Sequence, residues 1–229
     1  MPSALWIIAA LAAVALLTWE FWICEGAHFG RRFVVWLYEI SARRYDGIKQ
    51  FDPDWERRFL GESVANALGG LDGALLLDVG AGTGRLARAL EGLRFFRGTV
   101  FSLEPARRMI ALGRRQAPGV PARWLRGWGD ALPFAADAFD MVTSFEVLEF
   151  TPRPRAVLSE MVRILVPGGW LLVSNRVGWQ ARWILGKTIP RAAVRDRLSG
   201  LGLEDVEVDF WQVDYDLVWA RKAMPAGAR

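Results

Sequence analysis

Residues 75–90 read LLLDVGAGTGRLARAL, and this stretch decides the fold. The apolar run Ala74–Leu77, which ends at Asp78, predicts a fully buried strand. Gly80-Ala81-Gly82-Thr83-Gly84 then predicts a tight turn. A helical pattern follows, with these apolar residues on one face: Leu86, Ala87, Leu90 and Leu93. Together, strand, turn and helix predict a ligand cradle whose backbone N–H groups point outward at a helix N-terminus.

The glycine pattern itself has more than one interpretation. Three glycines suit an ordinary turn between strand and helix, and a dinucleotide site requires G-x-G-x-x-G, where this chain has Arg85 in place of the last glycine. The run D-x-G-x-G-x-G instead resembles motif I of the class I S-adenosylmethionine (SAM)-dependent methyltransferases. In that family the loop passes under the methionine part of the cofactor. The resemblance therefore implies SAM contacts from Asp78, Gly80, Ala81, Gly82 and Gly84.

Composition restricts the class of protein. The chain has 229 residues, enough for one α/β domain with an appendage. It is 52% hydrophobic with a mean hydropathy of +0.16, which is too apolar for a disordered protein. The single cysteine, Cys24, excludes an internal disulfide framework and is compatible with a reducing compartment. A net charge of +4 suits nucleic acid, an anionic membrane or simple compositional bias, and alone decides nothing.

The N-terminal segment is long and apolar. Residues 2–19 carry no charge, and apolar character resumes after Glu20. This length is sufficient to cross the hydrocarbon core of a bilayer. Tryptophans near both ends suit an interfacial belt: Trp6, Trp19 and Trp22. A cleaved signal peptide normally starts with basic residues, which are absent here, and a buried core helix would be shorter. We therefore predict a single-pass transmembrane anchor at residues 1–24.

Basic residues follow this segment and none precedes it, so the positive-inside rule predicts a cytoplasmic catalytic domain. Residues 25–70 are predicted to be juxtamembrane and cap helices. Within them, Phe29–Tyr45 is aromatic and basic, and it suits either the membrane interface or a helix packed on the domain. A further helix is predicted at Asp54–Leu68, with aspartates at its start for N-capping. The only histidine, His28, receives no role.

Two acidic residues follow the next predicted strands. Glu104 comes after the strand Gly98–Leu103, about twenty residues beyond the last glycine, where a carboxylate can accept from both ribose hydroxyls. It can also cap a helix predicted at Pro105–Gln116, with proline in the first helical position. The spacing favours the ribose role, with Pro105 beside it.

A third strand is predicted at Ala122–Arg126, and GDALPF follows at residues 129–134. This run resembles the family segment whose aspartate accepts from the adenine amino group. The resemblance implies cofactor contacts from Asp130 and Ala131. Taken alone, Gly-Asp would more often be just a turn.

The fourth strand, Phe139–Phe145, is followed by Glu-Val-Leu-Glu at residues 146–149. The resemblance implies a backbone contact from Phe145 near the reacting methyl group. The family often has a histidine after this sequence, and here the position is Phe150. Three residues are candidate bases, with structural roles equally open to the two glutamates, so no catalytic residue is assigned: Glu146, Glu149 and Tyr45. An Asn/Asp-Pro-Pro-Tyr motif typical of enzymes that methylate nucleic-acid bases is absent, so no nucleic-acid partner is expected.

The remaining chain predicts a helix at Pro154–Val166, a stop at residues 167–169 and a fifth strand at Trp170–Asn175. After an irregular aromatic and basic stretch at residues 176–190, we predict these elements: a helix at Arg191–Leu201 and a hairpin of Glu204–Phe210 with Val213–Ala220. Leu165–Gly169 resembles the family motif before strand five. The hairpin matches the family's antiparallel seventh strand.

The fold implied by the resemblance is α/β and Rossmann-like, with a seven-stranded sheet in the order 3-2-1-4-5-7-6 and helices on both faces. The SAM-binding domain is predicted at residues 71–222, with a flexible tail at residues 223–229. The predicted function is SAM-dependent methyl transfer to a small lipophilic acceptor at the lipid bilayer, such as a quinone precursor, a lipid or a hydrophobic metabolite. Two alternatives are a silent SAM-binding scaffold and a methyltransferase acting on nucleic acid or protein. No metal is predicted, and the oligomeric state is left open.

Overall fold

The computed structural model describes residues 2–225 and residue 227. Its centre is a seven-stranded sheet in the order β3-β2-β1-β4-β5-β7-β6, as the sequence predicts. Strand β7 runs antiparallel to both of its neighbours, and the other neighbouring pairs are parallel. The strands are β1 Leu75–Val79, β2 Thr99–Leu103, β3 Ala122–Leu125, β4 Phe139–Ser144, β5 Leu165–Arg176, β6 Leu203–Gln212 and β7 Tyr215–Lys222. The predicted tail at residues 223–229 lies partly outside the described residues.

Helices cover both faces of the sheet and precede it in the chain. They are α1 Pro2–Thr18, α2 Arg31–Lys49, α3 Pro53–Glu56, α4 Glu62–Ala67, α5 Arg85–Leu90, α6 Arg107–Gln116, α7 Pro154–Ile164 and α8 Val194–Ser199. The chain winds into π-helical turns at Trp19–Ile23 and Arg57–Gly61, where α1 and α3 end. The helix predicted at Asp54–Leu68 is therefore α3, a π-helical turn and α4 in succession, and Asp52 caps it.

Strand β1 is buried on both faces, which explains its unbroken apolar sequence. Leu76 packs on one side of the sheet with Leu86 and Met141. Leu77 packs on the other side with Val142 and other apolar residues. Because parallel strands end at a common edge, the loops after β1, β2 and β4 meet there.

Helix α6 begins two residues later than predicted, so Pro105 is not its first residue. The reason is a cap supplied from another helix. The Glu39 side chain of α2 accepts hydrogen bonds from the backbone N–H groups of Arg107 at 2.6 Å and Arg108 at 3.0 Å. A carboxylate at this end also complements the helix dipole.

Strand β5 is longer than predicted and includes the expected stop at residues 167–169. Leu165 pairs with Phe139, the chain then bulges outward, and pairing resumes between Trp170 and Met141. Proline and the two glycines form this bulge, which is a position where sheets tolerate them.

Helix α2 packs on the domain, which was one of the two alternatives left open by the sequence. Val34 and Ala42 are buried, and Ala42 packs against Ala106 and Met109 at the start of α6. The helix therefore forms a roof over the edge of the sheet where the loops meet.

Among the described residues, Ala4–Ile23 is the one helical segment long and apolar enough to cross a membrane. Its side chains are exposed along α1, whereas the residues just beyond α1 contact the domain. Cys24 is wholly buried, and the indole N–H of Trp19 donates to the Trp183 carbonyl at 3.2 Å.

Two helical glycines give a matched test of the packing. A Cβ at Gly113 of α6 would lie 2.1 Å from Cη2 of Trp124, whereas a Cβ at Gly47 of α2 would meet no heavy atom within 4 Å. We expect Gly113→Ala to lower the free energy of unfolding by about 1–3 kcal/mol because the site is overpacked. Gly47→Ala should raise it by up to about 1 kcal/mol. Urea unfolding in detergent, followed by circular dichroism, measures both, and equal effects would contradict the packing described.

Candidate functional site

The loop after β1 is held by hydrogen bonds within the protein. Gly80 N–H and Ala81 N–H donate to the Leu103 carbonyl at 2.8 and 3.1 Å, at the end of β2. Gly82 N–H donates to Glu104 Oε2 at 3.0 Å, and Gly84 N–H donates to the Ala81 carbonyl at 2.8 Å. The expectation that these N–H groups point outward is therefore wrong. Leu103 and Glu104 accept from the first three of these groups and Ala81 accepts from the fourth, so all four are bound within the protein.

A cavity lies where the carboxyl ends of the strands meet, beneath α2, and it encloses about 790 Å³ when the open solvent at its mouth is included. Its concave, mainly apolar lining with a few polar groups is typical of a small-molecule site. Five of the predicted contact residues line it: Gly80, Glu104, Pro105, Asp130 and Phe145. The roof comes from the inner face of α2 through Val34, Val35 and Tyr38, which the sequence analysis did not assign to a site.

A second cavity of about 320 Å³ adjoins the first and shares Gly80 and Phe145 with it. Its lining includes Asp78 and Ala81. Seven of the ten predicted contact residues therefore line one of the two cavities.

The other three predicted residues lie elsewhere. A Cβ on Gly82 would be 3.9 Å from the Tyr45 ring, and one on Gly84 would be 3.1 Å from Trp124. Gly82 therefore faces the end of α2, and Gly84 is required for close packing against β3. Ala131 is not among the described residues that line either cavity.

Glu104 joins the glycine loop to the start of α6. One carboxylate oxygen accepts from Gly82 N–H at 3.0 Å and the other from Ala106 N–H at 2.8 Å. Burial raises the pKa of Glu104 to about 7, although both backbone hydrogen bonds oppose the rise. Glu104 therefore lies at the cavity as predicted, but it is not the N-cap of α6: the N-cap residue is Ala106, and the first N–H groups of the helix bind Glu39.

Asp78 is a second buried carboxyl at the site. Its Oδ1 accepts from the Thr143 hydroxyl at 2.9 Å, across the pair of strands β1 and β4. Burial raises the pKa of Asp78 to about 7, against the effect of that hydrogen bond. Two carboxyls near the loop therefore change charge close to neutral pH.

Asp130 lines the main cavity and binds two arginines. Arg31 of α2 contacts both carboxylate oxygens at 3.2 Å, and Arg153 lies 3.4 Å from one of them. The Arg31 guanidinium also lies over the Trp128 ring at 4.8 Å. The N-terminal end of the roof is thereby tied to the segment after β3.

A buried ionic network lies beside the smaller cavity. Arg85 binds Glu56 through two nitrogens, at 2.5 and 2.7 Å, and Glu146 at 2.9 Å. Lys49, at the end of α2, binds the other oxygen of Glu146 at 2.5 Å. The Arg85 guanidinium also lies between the rings of Phe51 and Trp211, at 4.2 and 4.4 Å. The sequence marks Arg85 only as a departure from the dinucleotide pattern, because its partners are distant in the chain.

The three candidate bases differ in their surroundings. Both oxygens of Glu146 are paired with cations, as described above, so neither oxygen is free to take a proton from a substrate. Glu149 accepts from the Tyr215 hydroxyl at 2.5 Å, and burial raises its pKa. Burial also raises the pKa of Tyr45 above its usual range, which disfavours the phenolate. The structure therefore offers no exposed general base among these three.

Comparisons with known proteins indicate the class of the domain. Residues 77–173 match the family described as a methyltransferase domain. This range runs from β1 through most of β5 and includes the glycine loop, Glu104 and Asp130.

Two relatives are named for quinone biosynthesis. The chain is 32% identical over 141 residues to a demethylmenaquinone methyltransferase of Renibacterium salmoninarum, covering 61% of this chain and 56% of that protein. It is 34% identical over 155 residues to a ubiquinone/menaquinone biosynthesis C-methyltransferase of Roseobacter denitrificans, covering 65% and 60% respectively. The chain thus spans somewhat more than half of these relatives' length.

A solved structure has the same fold. The SAM-dependent methyltransferase of Aquifex aeolicus superposes with a TM-score of 0.59 at 18% identity, covering 76% of this chain and all of that one. The seven-stranded architecture predicted from the sequence is confirmed.

The buried carboxyls predict a pH dependence of stability. The folded-state pKa of Glu104 and of Asp78 lies near 7, above the ordinary values of 4.5 and 3.8, so the folded state binds more protons than the unfolded state between those limits. The free energy of unfolding should therefore fall as the pH rises from about 4 to about 7, by up to about 3 kcal/mol for Glu104 and about 4 kcal/mol for Asp78.

Urea unfolding across this range measures the fall, and Glu104→Gln should make it smaller because one titrating group is removed. An unchanged slope in Glu104→Gln and in Asp78→Asn would show that neither carboxyl titrates as described.

Proposed function

We propose that this chain, which contains a domain of the class I SAM-dependent methyltransferases, transfers a methyl group from SAM to a small lipophilic acceptor at a membrane. One observation carries the proposal: the Glu104 carboxylate is hydrogen-bonded to the glycine loop at the wall of the main cavity. A carboxylate held beside a glycine loop at the end of β2 is a suitable acceptor for a vicinal diol.

The residues present fit the cofactor. Each Glu104 oxygen accepts one backbone N–H, and since a carboxylate has about four lone-pair sites, both oxygens can also accept from ribose hydroxyls. We assign the adenine amino group to Asp130 and the backbone contact near the methyl group to Phe145. Asp78 and Ala81, which line the smaller cavity, are assigned to the methionine part.

When bound, SAM supplies an electrophilic methyl group on a positively charged sulfur, and this charge disappears during transfer. The chain itself contributes mainly by positioning the cofactor and the acceptor. The inner face of α2 excludes water from the cavity, and Glu104 and Asp130 fix the orientation of the nucleoside. Holding acceptor and methyl group in line can supply much of the acceleration. Because the candidate bases are paired or buried, we propose that no protein carboxylate removes a proton from the acceptor.

The class of acceptor is inferred from three features. Side chains of Val34, Val79 and Phe150 give the main cavity apolar walls. The segment Ala4–Ile23 has a mean hydropathy of 2.0 and would anchor the domain at a bilayer. The two relatives described above are named for quinone substrates. A quinone precursor is therefore the leading candidate, with lipids and hydrophobic metabolites as the other members of the class.

The cofactor assignment is tested by calorimetry of SAM binding. Glu104→Gln removes the charge, so we expect SAM binding to weaken by about 10- to 100-fold. Glu91→Gln is the matched control, because the Glu91 carboxylate also accepts from a backbone N–H, that of Gly119 at 2.8 Å, away from both cavities. Its affinity should match that of the unaltered chain. Equal affinity in Glu104→Gln would refute the ribose assignment.

The reaction is tested with SAM carrying a labelled methyl group and a total lipid extract. The full chain in detergent should transfer label to the lipid fraction, and Asp78→Asn should transfer less because the charge beside the loop is lost. Label found only in RNA or protein would reject the lipophilic acceptor. Absence of transfer by a chain that binds SAM would instead identify a scaffold.

A further inference from the structure

Helix α2 has two different faces. Its inner face lines the main cavity. At about 100° per residue, the opposite arc of about 160° contains the exposed Gly47 and six residues with exposed side chains. We call this set the outer α2 face: Arg32, Trp36, Ile40, Arg43, Arg44 and Ile48. The three apolar side chains are 53%, 55% and 67% exposed, which is unusual for a helix that already buries its other side.

All charged side chains on the outer α2 face are positive. Its three arginines are exposed, and the acidic residues of α2 lie off this face. Glu39 caps α6, as described above. Asp46 accepts from the Thr83 hydroxyl at 2.6 Å and from Gln116 at 2.7 Å. Apolar and basic side chains together suit the headgroup region of a bilayer that contains anionic lipid.

An aromatic strip connects the outer α2 face to the apolar N-terminal segment. Phe21, within that segment, contacts Phe29, with ring centroids 5.4 Å apart. Phe29 contacts Phe33 at 5.0 Å, and Phe33 contacts Trp36 at 5.6 Å. The exposed surface of α2 is thus continuous with the segment long enough to cross a membrane.

A second exposed apolar surface lies at the same junction, in the loop after β5. Trp179, Trp183 and Leu185 are each more than half exposed. This loop is fixed to the chain just beyond α1, since the Trp183 carbonyl accepts from Trp19 and Lys187 Nζ donates to the Ala27 carbonyl at 3.2 Å. Exposed tryptophans beside an apolar helix are typical of the membrane interface.

From these observations we propose that the outer α2 face and the loop at residues 179–185 dock on the surface of an anionic bilayer. Helix α2 then lies between lipid on one side and the cavity on the other. For the proposed function, the consequence is that a lipophilic acceptor reaches the cavity around α2 without crossing water. This consequence rests on the proposed function, whereas the docking surface does not.

Spin labelling of the full chain tests the docking surface. Single cysteines replace Trp36, Ile40 and, as control, Leu71, which is 49% exposed and precedes β1 at the opposite edge of the sheet. The native Cys24 is wholly buried, so the label reacts with the introduced thiol, and the unaltered chain checks this. The chain is reconstituted in vesicles of phosphatidylcholine and phosphatidylglycerol. Collision rates of each label with oxygen and with a water-soluble nickel complex are then measured.

At positions 36 and 40, we expect the label to collide more often with oxygen than with the nickel complex, because oxygen concentrates in lipid. At position 71, we expect collisions with the nickel complex to be more frequent. A water-like pattern at all three positions would refute the proposal. Protection from both reagents, with spin–spin broadening that disappears on dilution with unlabelled chain, would show that a second copy covers the face and would also refute it. SAM binding and methyl transfer are measured on the same vesicles. A failure of the proposed function is therefore distinguished from a failure of the docking surface.

Charge substitutions provide a second arm. Arg32→Gln, Arg43→Gln and Arg44→Gln together should weaken docking by up to about 100-fold, seen as a shift of position 36 toward the water-like pattern. The matched control neutralises three exposed arginines elsewhere: Arg94, Arg114 and Arg115. This control variant should leave the collision pattern of the label at position 36 unchanged. Equal shifts in both triple variants would contradict the specific surface.

Discussion

The site depends on one side chain, the carboxylate of Glu104. Each of its oxygens accepts a backbone N–H, one from the glycine loop and one from the turn that leads into α6. Because these donors follow different strands, the contact fixes the distance between the loops after β1 and β2. It does so from a buried position, where the carboxylate is stabilised only by those bonds, and this burial explains its raised pKa. The same two oxygens therefore join the two loops and are the proposed acceptors for the ribose hydroxyls.

Helix α2 completes the site because it is tied down along its whole length. Arg31 binds Asp130 at one end, Glu39 caps α6 in the middle, and Lys49 binds Glu146 at the other end. Exposed ion pairs are individually weak, but those of α2 act together with the packing of Ala42 against the start of α6. The roof is thus held by polar contacts along its whole length and by apolar contacts at its centre. Its outer face is exposed in the part of the chain that the structure describes.

The network around Arg85 has a different role. It contains two cations, Arg85 and Lys49, and two anions, Glu56 and Glu146, so its formal charge is balanced. Burying charges is costly unless the geometry is good, and such networks are weak evidence for stability. This one occupies the wall of the smaller cavity and joins α2, α3 and the loop after β4. We therefore interpret it as positioning the roof and the cavity wall, and its pairing of Glu146 removes that residue as a free base.

The sequence by itself determined the order of the elements and the position of the glycine loop, and seven of the ten contact residues predicted from it line one of the two cavities. The order of the elements follows from local apolar periodicity, and Glu104 follows from its spacing after a strand. The other contact residues follow from the resemblance of short motifs to those of the methyltransferases. Only the tertiary structure decided that the loop's N–H groups turn inward, that Gly84 serves packing, that α2 roofs the cavity and that Arg85 joins Glu56 and Glu146. Each of these depends on residues far apart in the chain whose contacts exist only after packing, and no local pattern records such contacts.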